Sequence, residues 1–144
     1  MNRTFAPKKS ENLTKEWHFI DAKNRILGKV AVDIAKKLMG KGKSTYTRNM
    51  NVGDKVVVIN AKDIEVTGNK LEDKIYYRHT GYPGGLRSAT LGELMAKNPD
   101  RAIRLAVRGM LPKNKLQKVR MANLYVYNGV EHPHMGQVNL TKTK

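Results

Sequence analysis

The sequence predicts an α/β domain in which helices cover both faces of a small sheet. Two of its segments carry most of this prediction. Residues 27–39 place apolar side chains at helical spacing, and residues 55–60, KVVVIN, are apolar without alternation. Because a strand wetted on one face alternates, the unbroken run is typical of a strand in a parallel sheet covered by helices.

The first elements are a strand and an amphipathic helix. WHFID at 17–21 has the composition of a strand. LGKVAVDIAKKLM at 27–39 follows, and at about 100° per residue its apolar side chains fall within an arc of about 140°. Its lysines lie on the opposite side, where they suit contact with RNA and a solvated helix face equally well.

Shorter elements follow in the second half. IEVTGNK at 64–70 suggests a short strand and a turn, and KIYYRH at 74–79 is another extended candidate. TLGELMAK at 90–97 suggests a short helix capped by its first residue. LYVYNG at 124–129 supplies a late strand with its two tyrosines on one face.

The second strong helix is predicted over NPDRAIRLAVRG at 98–109. Asn98 occupies the N-cap, Pro99 the first helical position and Asp100 the first turn. Gly109 stands where a helix normally stops.

This helix carries a stripe of arginines. On a helical wheel, Arg101, Arg104 and Arg108 lie within about 60° of each other, opposite the apolar face. No acid occurs from 101 to 130, so we expect no local partner to neutralise them. RGMLPKNKLQKVR at 108–120 continues the ridge. Arginine binds phosphate with two hydrogen bonds, which favours an anion-binding ridge over a solvated face. The later cations of the ridge are Lys113, Lys115, Lys118 and Arg120.

Net charge points to a negatively charged partner. The chain has 28 Lys and Arg against 12 Asp and Glu, a formal charge of +16. Residues 1–50 and 101–144 each carry a net +8, whereas residues 51–100 are neutral overall. Solubility does not require this segregation, but a polyanion would explain it. A membrane surface is the weaker alternative, because no amphipathic helix carries bulky aromatic residues on its apolar face.

The loop GKGKST at 40–45 resembles a nucleotide-binding P-loop only superficially. That motif needs a glycine where this chain has Lys37, and a strand rather than a helix before the loop. We interpret it as a flexible basic loop that contacts phosphates, with Tyr46 and Arg48 beyond it.

The glycine-rich stretch HTGYPGGL at 79–86 has two interpretations. It forms a tight surface turn, or its bare backbone approaches a ligand closely. In the second case His79 and Tyr82 would stack on or hydrogen-bond to nucleotides. The residues alone favour neither.

The histidines do not indicate catalysis or a metal. His132 and His134 have only Glu131 nearby to complete a metal site, and Pro133 between them restrains the geometry, so a hydrogen-bonded turn is preferred. His18 lies in a strand without a visible partner. No nucleophile triad or close carboxylate pair is evident.

Composition excludes further classes. The chain has no cysteine, so disulfides, thiolate zinc sites and cysteine nucleophiles are excluded. No apolar run approaches the roughly 20 residues of a membrane span, and the N-terminus lacks a secretory signal. With 144 residues we expect one domain at 15–137, flanked by flexible tails at 1–14 and 138–144.

Four motifs in order resemble the bacterial type of large-subunit ribosomal protein thirteen (the L-thirteen family). They are VTGNK at 66–70, HTGYPGGL at 79–86, AVRGMLPKNKL at 106–116 and VYNGVEHPH at 126–134. The resemblance spans residues 17–137. It implies a three-layer α/β/α fold on a mostly parallel four-stranded sheet, and no enzymatic activity.

The resemblance also implies a function and contact residues. The function is binding to large-subunit ribosomal RNA early in assembly, beside neighbouring ribosomal proteins, and the contacts include His79 to Gly85 and Gly109 to Lys113. The chain departs from the family at Gln117-Lys118, where Gly-Arg is usual, and at Gly136, where alanine is usual.

Together these arguments predict a structural component of the large ribosomal subunit in the cytoplasm, an organellar ribosome remaining open. No cofactor, metal, membrane or small-molecule substrate is expected. The rival functions are nonspecific nucleic-acid binding and a nucleic-acid-processing enzyme that uses the histidines. The residues predicted to contact RNA are Lys36, Lys41, Lys43, Tyr46, Arg48, Lys70, His79, Thr80, Gly81, Tyr82, Gly84, Gly85, Arg101, Arg104, Arg108, Gly109, Pro112, Lys113, Lys115, Lys118, Arg120, His132 and His134.

Overall fold

A computed structural model describes residues 15–137, so both predicted tails, 1–14 and 138–144, lie outside the described residues. Within 15–137, no helix is long and apolar enough to cross a membrane. The helices and strands are β1 (Trp17–Asp21), α1 (Leu27–Met39), β2 (Lys55–Ile59), α2 (Lys70–Asp73), β3 (Ile75–His79), β4 (Leu86–Thr90), α3 (Leu91–Lys97), α4 (Pro99–Met110), α5 (Leu116–Ala122) and β5 (Leu124–Val126), with short 3-10 helices at Ala61–Asp63 and Met135–Gln137.

The main sheet has three parallel strands in the order β1-β2-β5. Phe19, Val57 and Tyr125 form one row across it. Four of the five β2 residues are buried, which confirms the prediction of a central strand covered on both faces.

Helices pack on one face of this sheet. Val56 and Val58 of β2 share a buried cluster with Ile34 of α1 and with Ile103 and Val107 of α4. The helical period predicted for α1 is confirmed, since its apolar residues are the buried ones.

The other face is covered by aromatic rings. The ring of His132 lies 4.8 Å from that of Phe19, and the ring of His134 lies 5.0 Å from Trp17 and 4.7 Å from Tyr125. The prediction that a second layer of helices covers this face is therefore corrected. The contacts described on this face are made by the segment that follows β5.

A second, two-stranded antiparallel sheet pairs β3 with β4. The mixed α/β class is confirmed, but the single four-stranded sheet is replaced by sheets of three and two strands. The short strand predicted at 64–70 is reduced to one isolated bridge between Ile26 and Glu65. Strand β4 was not predicted, because none of its five residues is buried and its sequence shows no apolar alternation.

The helices on either side of Asn98 begin as predicted. Thr90 caps α3 by accepting a hydrogen bond from the Glu93 backbone at 3.2 Å, and the Glu93 carboxylate accepts one from the Thr90 backbone. Helix α4 starts at Pro99 and continues one residue past Gly109. Asn98 makes no side-chain cap.

Candidate nucleic-acid interface

The arginine stripe on α4 faces away from the core. Ala102, Ile103 and Val107 are buried, while Arg101 and Arg108 are exposed and Arg104 is half-buried. Because burial of the apolar side fixes the rotation of the helix, the arginines are held on the outer side.

The stripe forms one wall of a groove of about 610 Å³ between α4 and α5. Five of its lining residues are cationic and none of the lining residues is acidic. Leu105 and Met121 supply apolar surface. The complete lining is Arg101, Arg104, Leu105, Arg108, Asn114, Lys115, Gln117, Lys118 and Met121.

Gln117 links the start of α5 to the end of α4. Its side-chain amide donates hydrogen bonds to the carbonyl oxygens of Arg108, at 2.9 Å, and Leu111, at 3.3 Å. These carbonyls lie at the end of α4, where they lack partners within the helix. Glycine, the residue that the resemblance implies at this position, could not make these bonds.

One expectation for the stripe was wrong. Arg104 has a local acidic partner, because its Nε lies 3.9 Å from a carboxylate oxygen of Asp100 one turn earlier. The acid lies just outside the acid-free run considered in the sequence. Within the described part of the chain, neither Arg101 nor Arg108 forms an ion pair.

Arg120 is not on this surface. Its side chain is buried, with 2% of its area exposed, and its Nη2 donates to the carbonyl oxygen of Met50 at 3.4 Å. The sequence-based prediction that Arg120 continues the ridge is corrected. Helix α5 turns this residue inward while Lys115 and Lys118 remain exposed.

The end of α4 and most of the residues that follow it are exposed, although Leu111 is buried. Gly109, Pro112 and Lys113 are exposed, and a side chain at Gly109 would meet nothing within 4 Å. The glycine is therefore not required by packing within the described chain.

The stretch HTGYPGGL forms the turn of the β3–β4 hairpin. The Thr80 backbone donates to the carbonyl of Gly85 at 3.0 Å, and the Gly81 backbone donates to Nδ1 of His79 at 3.0 Å. Gly81 and Gly84 have φ angles of +91° and +71°, which favour glycine. These bonds support the tight-turn interpretation, and the RNA contact stays a prediction.

The hairpin carries two arginines that sequence reasoning missed. Arg78 and Arg87 are directly opposite each other in the register and both are exposed. Like charges in this position repel. Tyr77 and Leu86 are 67% and 63% exposed, so the hairpin also presents apolar surface. Only the pairing of β3 with β4 brings the arginines together, and β4 was not predicted.

The lysines around α1 border a different cavity, of about 1240 Å³. Lys36 and Lys41 are exposed at its edge. Lys43 forms an ion pair with the buried carboxylate of Asp54. Its side chain is half-buried, and its contact with RNA stays a prediction.

His18 has partners, contrary to expectation. Its Nε2 lies 3.0 Å from an oxygen of Asp54, and its Nδ1 lies 3.2 Å from Nζ of Lys37. Glu16, His18 and Asp54 bring possible metal-ligand atoms within 4.8 Å of one another. Because Lys43 already pairs with Asp54 and Lys37 lies beside His18, we interpret the group as an ion network rather than a metal site.

The remaining predicted ligands are dispersed. Tyr46 packs against the hydrophobic cluster, whereas Arg48 is exposed. Lys70 is exposed at the start of α2 and donates to the Thr67 hydroxyl at 3.1 Å.

His132 and His134 form the ordered turn that the sequence favoured. Nε2 of His134 lies 2.9 Å from the Tyr127 hydroxyl, and the His134 backbone donates to Nδ1 of His132 at 3.2 Å. Both rings are half-buried against the sheet. They have structural partners, and contact with RNA stays a prediction.

Comparison with known proteins places this arrangement in a family. A family model described as Ribosomal protein L13 matches residues 15–133. Relatives named "Large ribosomal subunit protein uL13" include those of Geobacter sulfurreducens, 52% identical over 90% of both chains, and Maridesulfovibrio salexigens, 50% identical over 94% of both. The Staphylococcus carnosus protein of that name is 46% identical over 95% of this chain and 94% of its own. With a match over most of its length, the chain belongs to the ribosomal protein L13 family.

Proposed function

We propose that this protein binds and organises the RNA of the large ribosomal subunit early in assembly. As a member of the L13 family it is a structural ribosomal component and not an enzyme.

The groove between α4 and α5 is the observation that carries this proposal. Its five cations line one continuous concave surface with no acid among the lining residues. Clustered arginines with little compensating charge are suited to phosphate, which they bind in a bidentate manner. We infer that Gly109, Pro112 and Lys113 extend this surface at the end of α4.

The β3–β4 hairpin is the second proposed contact. Arg78 and Arg87 concentrate positive charge on one face, and the exposed Tyr82 at the tip can stack on an unpaired base. A phosphate between the two arginines would relieve their repulsion. The contacts predicted from His79 to Gly85 would then belong to one projecting element.

Other residues are proposed as peripheral ligands. Exposed cations near α1 and α2 can reach phosphates of the same RNA. They add to affinity but do not recognise a particular base. These residues are Lys36, Lys41, Arg48 and Lys70. We propose smaller roles for Lys43, Tyr46, His132 and His134, since each already has a partner within the chain.

The proposed mechanism has two parts. Cations neutralise phosphates that RNA helices would otherwise keep apart, and release of counterions makes the affinity depend on salt. The body at 15–137 then fixes which RNA elements meet, acting as one domain. The proposal of one domain is supported by a single hydrophobic cluster with residues from α1, β2, α4 and β5.

Ribosome membership implies ribosomal RNA and protein neighbours as partners, and a ribosomal location. We propose the cytoplasmic ribosome as this location. Nonspecific nucleic-acid binding is the rival worth testing, since the net charge alone would produce it.

Parallel titrations distinguish specific binding to ribosomal RNA from nonspecific binding to nucleic acid. The full-length protein would be titrated with large-subunit ribosomal RNA and with duplex DNA of random sequence at the same salt concentration. We expect at least about tenfold tighter binding to the ribosomal RNA, because irregular RNA features supply contacts that a uniform duplex lacks. Equal affinities would contradict specific recognition and favour nonspecific binding.

A further inference from the structure

We propose that the groove between α4 and α5 seats the base of one unstacked nucleotide, while the cations around it hold the flanking phosphates. This inference rests on the proposed RNA-binding function and specifies the RNA feature that this groove takes. It assigns the apolar residues of the groove a role that charge alone does not explain.

The apolar part of the groove is its first support. Leu105 and Met121 are half-buried and line the groove from opposite helices. On α4, Leu105 lies about 40° from Arg101 around the helix axis, at the edge of the arginine stripe. Phosphate gains nothing from apolar surface, whereas the flat face of a base does.

The arrangement of charge is the second support. Three arginines rise from α4 on one side, and Lys115 and Lys118 come from the other side. A nucleotide whose base enters such a groove carries a phosphate before and after it, so cations on both walls complement both phosphates. The amides of Asn114 and Gln117 add hydrogen-bonding groups at the lining, and base edges both donate and accept.

The size of the groove selects among RNA features. Its volume of about 610 Å³ falls within the range of small-ligand sites and suits one nucleotide. An RNA double helix is too wide to enter between two packed helices and would touch only the cationic rim. Unstacked nucleotides in loops and bulges are the RNA features that proteins recognise base by base.

Chemical footprinting on ribosomal RNA can distinguish contact with the seated base from contact with the flanking phosphates. The full-length protein would be bound to deproteinised large-subunit RNA, with hydroxyl radicals reporting on the backbone and base-modifying reagents reporting on unpaired bases. The variant is Leu105→Ala, the conservative control is Leu105→Met, and the matched control is Val119→Ala, an exposed apolar residue on α5 outside the groove.

We expect the unmodified protein to protect an unpaired base within its backbone footprint. Leu105→Ala should expose that base and weaken the affinity about fivefold to tenfold, in line with the loss of one base contact. Its backbone footprint should persist at saturating protein. Leu105→Met and Val119→Ala should retain the base protection.

Three results would overturn the inference while leaving the proposed function intact. The first is a backbone footprint without protection of any unpaired base. The second is base protection that survives Leu105→Ala. The third is loss of the whole footprint in Leu105→Ala, even at saturating protein. Absence of any footprint from the unmodified protein would overturn the proposed function as well.

Discussion

Arg78 and Arg87 show how one pair of residues links stability to binding. They are opposite each other on a hairpin whose side chains are mostly exposed, so the free protein gains little from bringing them together. Cross-strand like charges destabilise a sheet, and an isolated two-stranded hairpin has little stability to spare. An anion bound between them would reverse the sign of the interaction.

We predict that Arg87→Ala stabilises the free protein and weakens RNA binding. The free energy of unfolding should rise by about 0.5 kcal/mol because the repulsion is removed. The dissociation constant for ribosomal RNA should rise about threefold to tenfold because a phosphate contact is lost. Urea unfolding and filter binding measure the two quantities.

Lys62→Ala is the matched control, since Lys62 is an exposed cation outside the hairpin. It should change both quantities less than Arg87→Ala. If Arg87→Ala destabilised the protein and left its affinity for RNA unchanged, the arginine pair would have no role in binding.

Asp54 makes the opposite kind of contribution, to stability alone. Its side chain is 6% exposed and accepts hydrogen bonds from the Glu16 backbone at 3.0 Å and from Lys43, beside His18. Asp54→Ala should lower the free energy of unfolding by about 3 kcal/mol, because it leaves the half-buried ammonium group of Lys43 without its counterion. Urea unfolding measures this loss.

The comparison variant is Asp33→Ala. Asp33 pairs with Arg25 at 2.8 Å, but 44% of its side chain is exposed. An exposed pair contributes less than about 1 kcal/mol. Similar losses in the two variants would mean that the Asp54 network is not an internal stabilising group.

Single residues were predictable only where local sequence determines their position. The exposure of Arg101 and Arg108 follows from the helical period, and the structure has them on the outer face. Buried Arg120 bonds to Met50, 70 positions away, and the partners of His18 come from α1 and from the residue before β2. No local pattern contains that information.

At the level of elements, predictability follows the strength of the apolar pattern. Helices α1 and α4 and strand β2 bury well-defined sets of apolar residues, and all three were predicted. Helix α5 has seven residues and buries only Arg120. No buried apolar stripe marks it, and the sequence did not predict it as a helix. The β3–β4 pairing escaped prediction for a related reason, since it has little buried surface.

The arginine stripe of α4 gives a prediction for a whole element. Replacing Arg101, Arg104 and Arg108 by alanine should flatten the plot of log affinity against log salt by about 2 units, as expected for the loss of three phosphate contacts. Filter binding to ribosomal RNA over a salt series measures the slope. Alanine is a strong helix former, so α4 should remain helical, as circular dichroism can check.

Lys29, Lys62 and Lys97 provide a control of equal charge, being exposed cations outside the groove. Their triple alanine variant should change the slope by less than about 1 unit. An equal change in both variants would indicate that net charge alone determines binding. An unchanged slope in the α4 variant would assign the stripe to a solvated face.

The whole molecule joins its two basic segments through packing. Residues 1–50 contain α1, which contacts both α4 and α5 from the basic segment at 101–144. The neutral segment at 51–100 supplies the central strand β2 and the projecting hairpin. The two basic stretches of the sequence therefore meet through packed helices, while the neutral stretch supplies the central strand and the hairpin.

We propose that the α4–α5 surface anchors this protein to the RNA of the large subunit. Cells producing the unmodified protein or the Arg101, Arg104 and Arg108 alanine variant would be lysed, and their ribosomes sedimented through a sucrose gradient before and after a high-salt wash. We predict that the unmodified protein stays in the large-subunit peak after the wash, whereas most of the folded variant moves to the top of the gradient. Retention of both proteins to the same extent would contradict the claim.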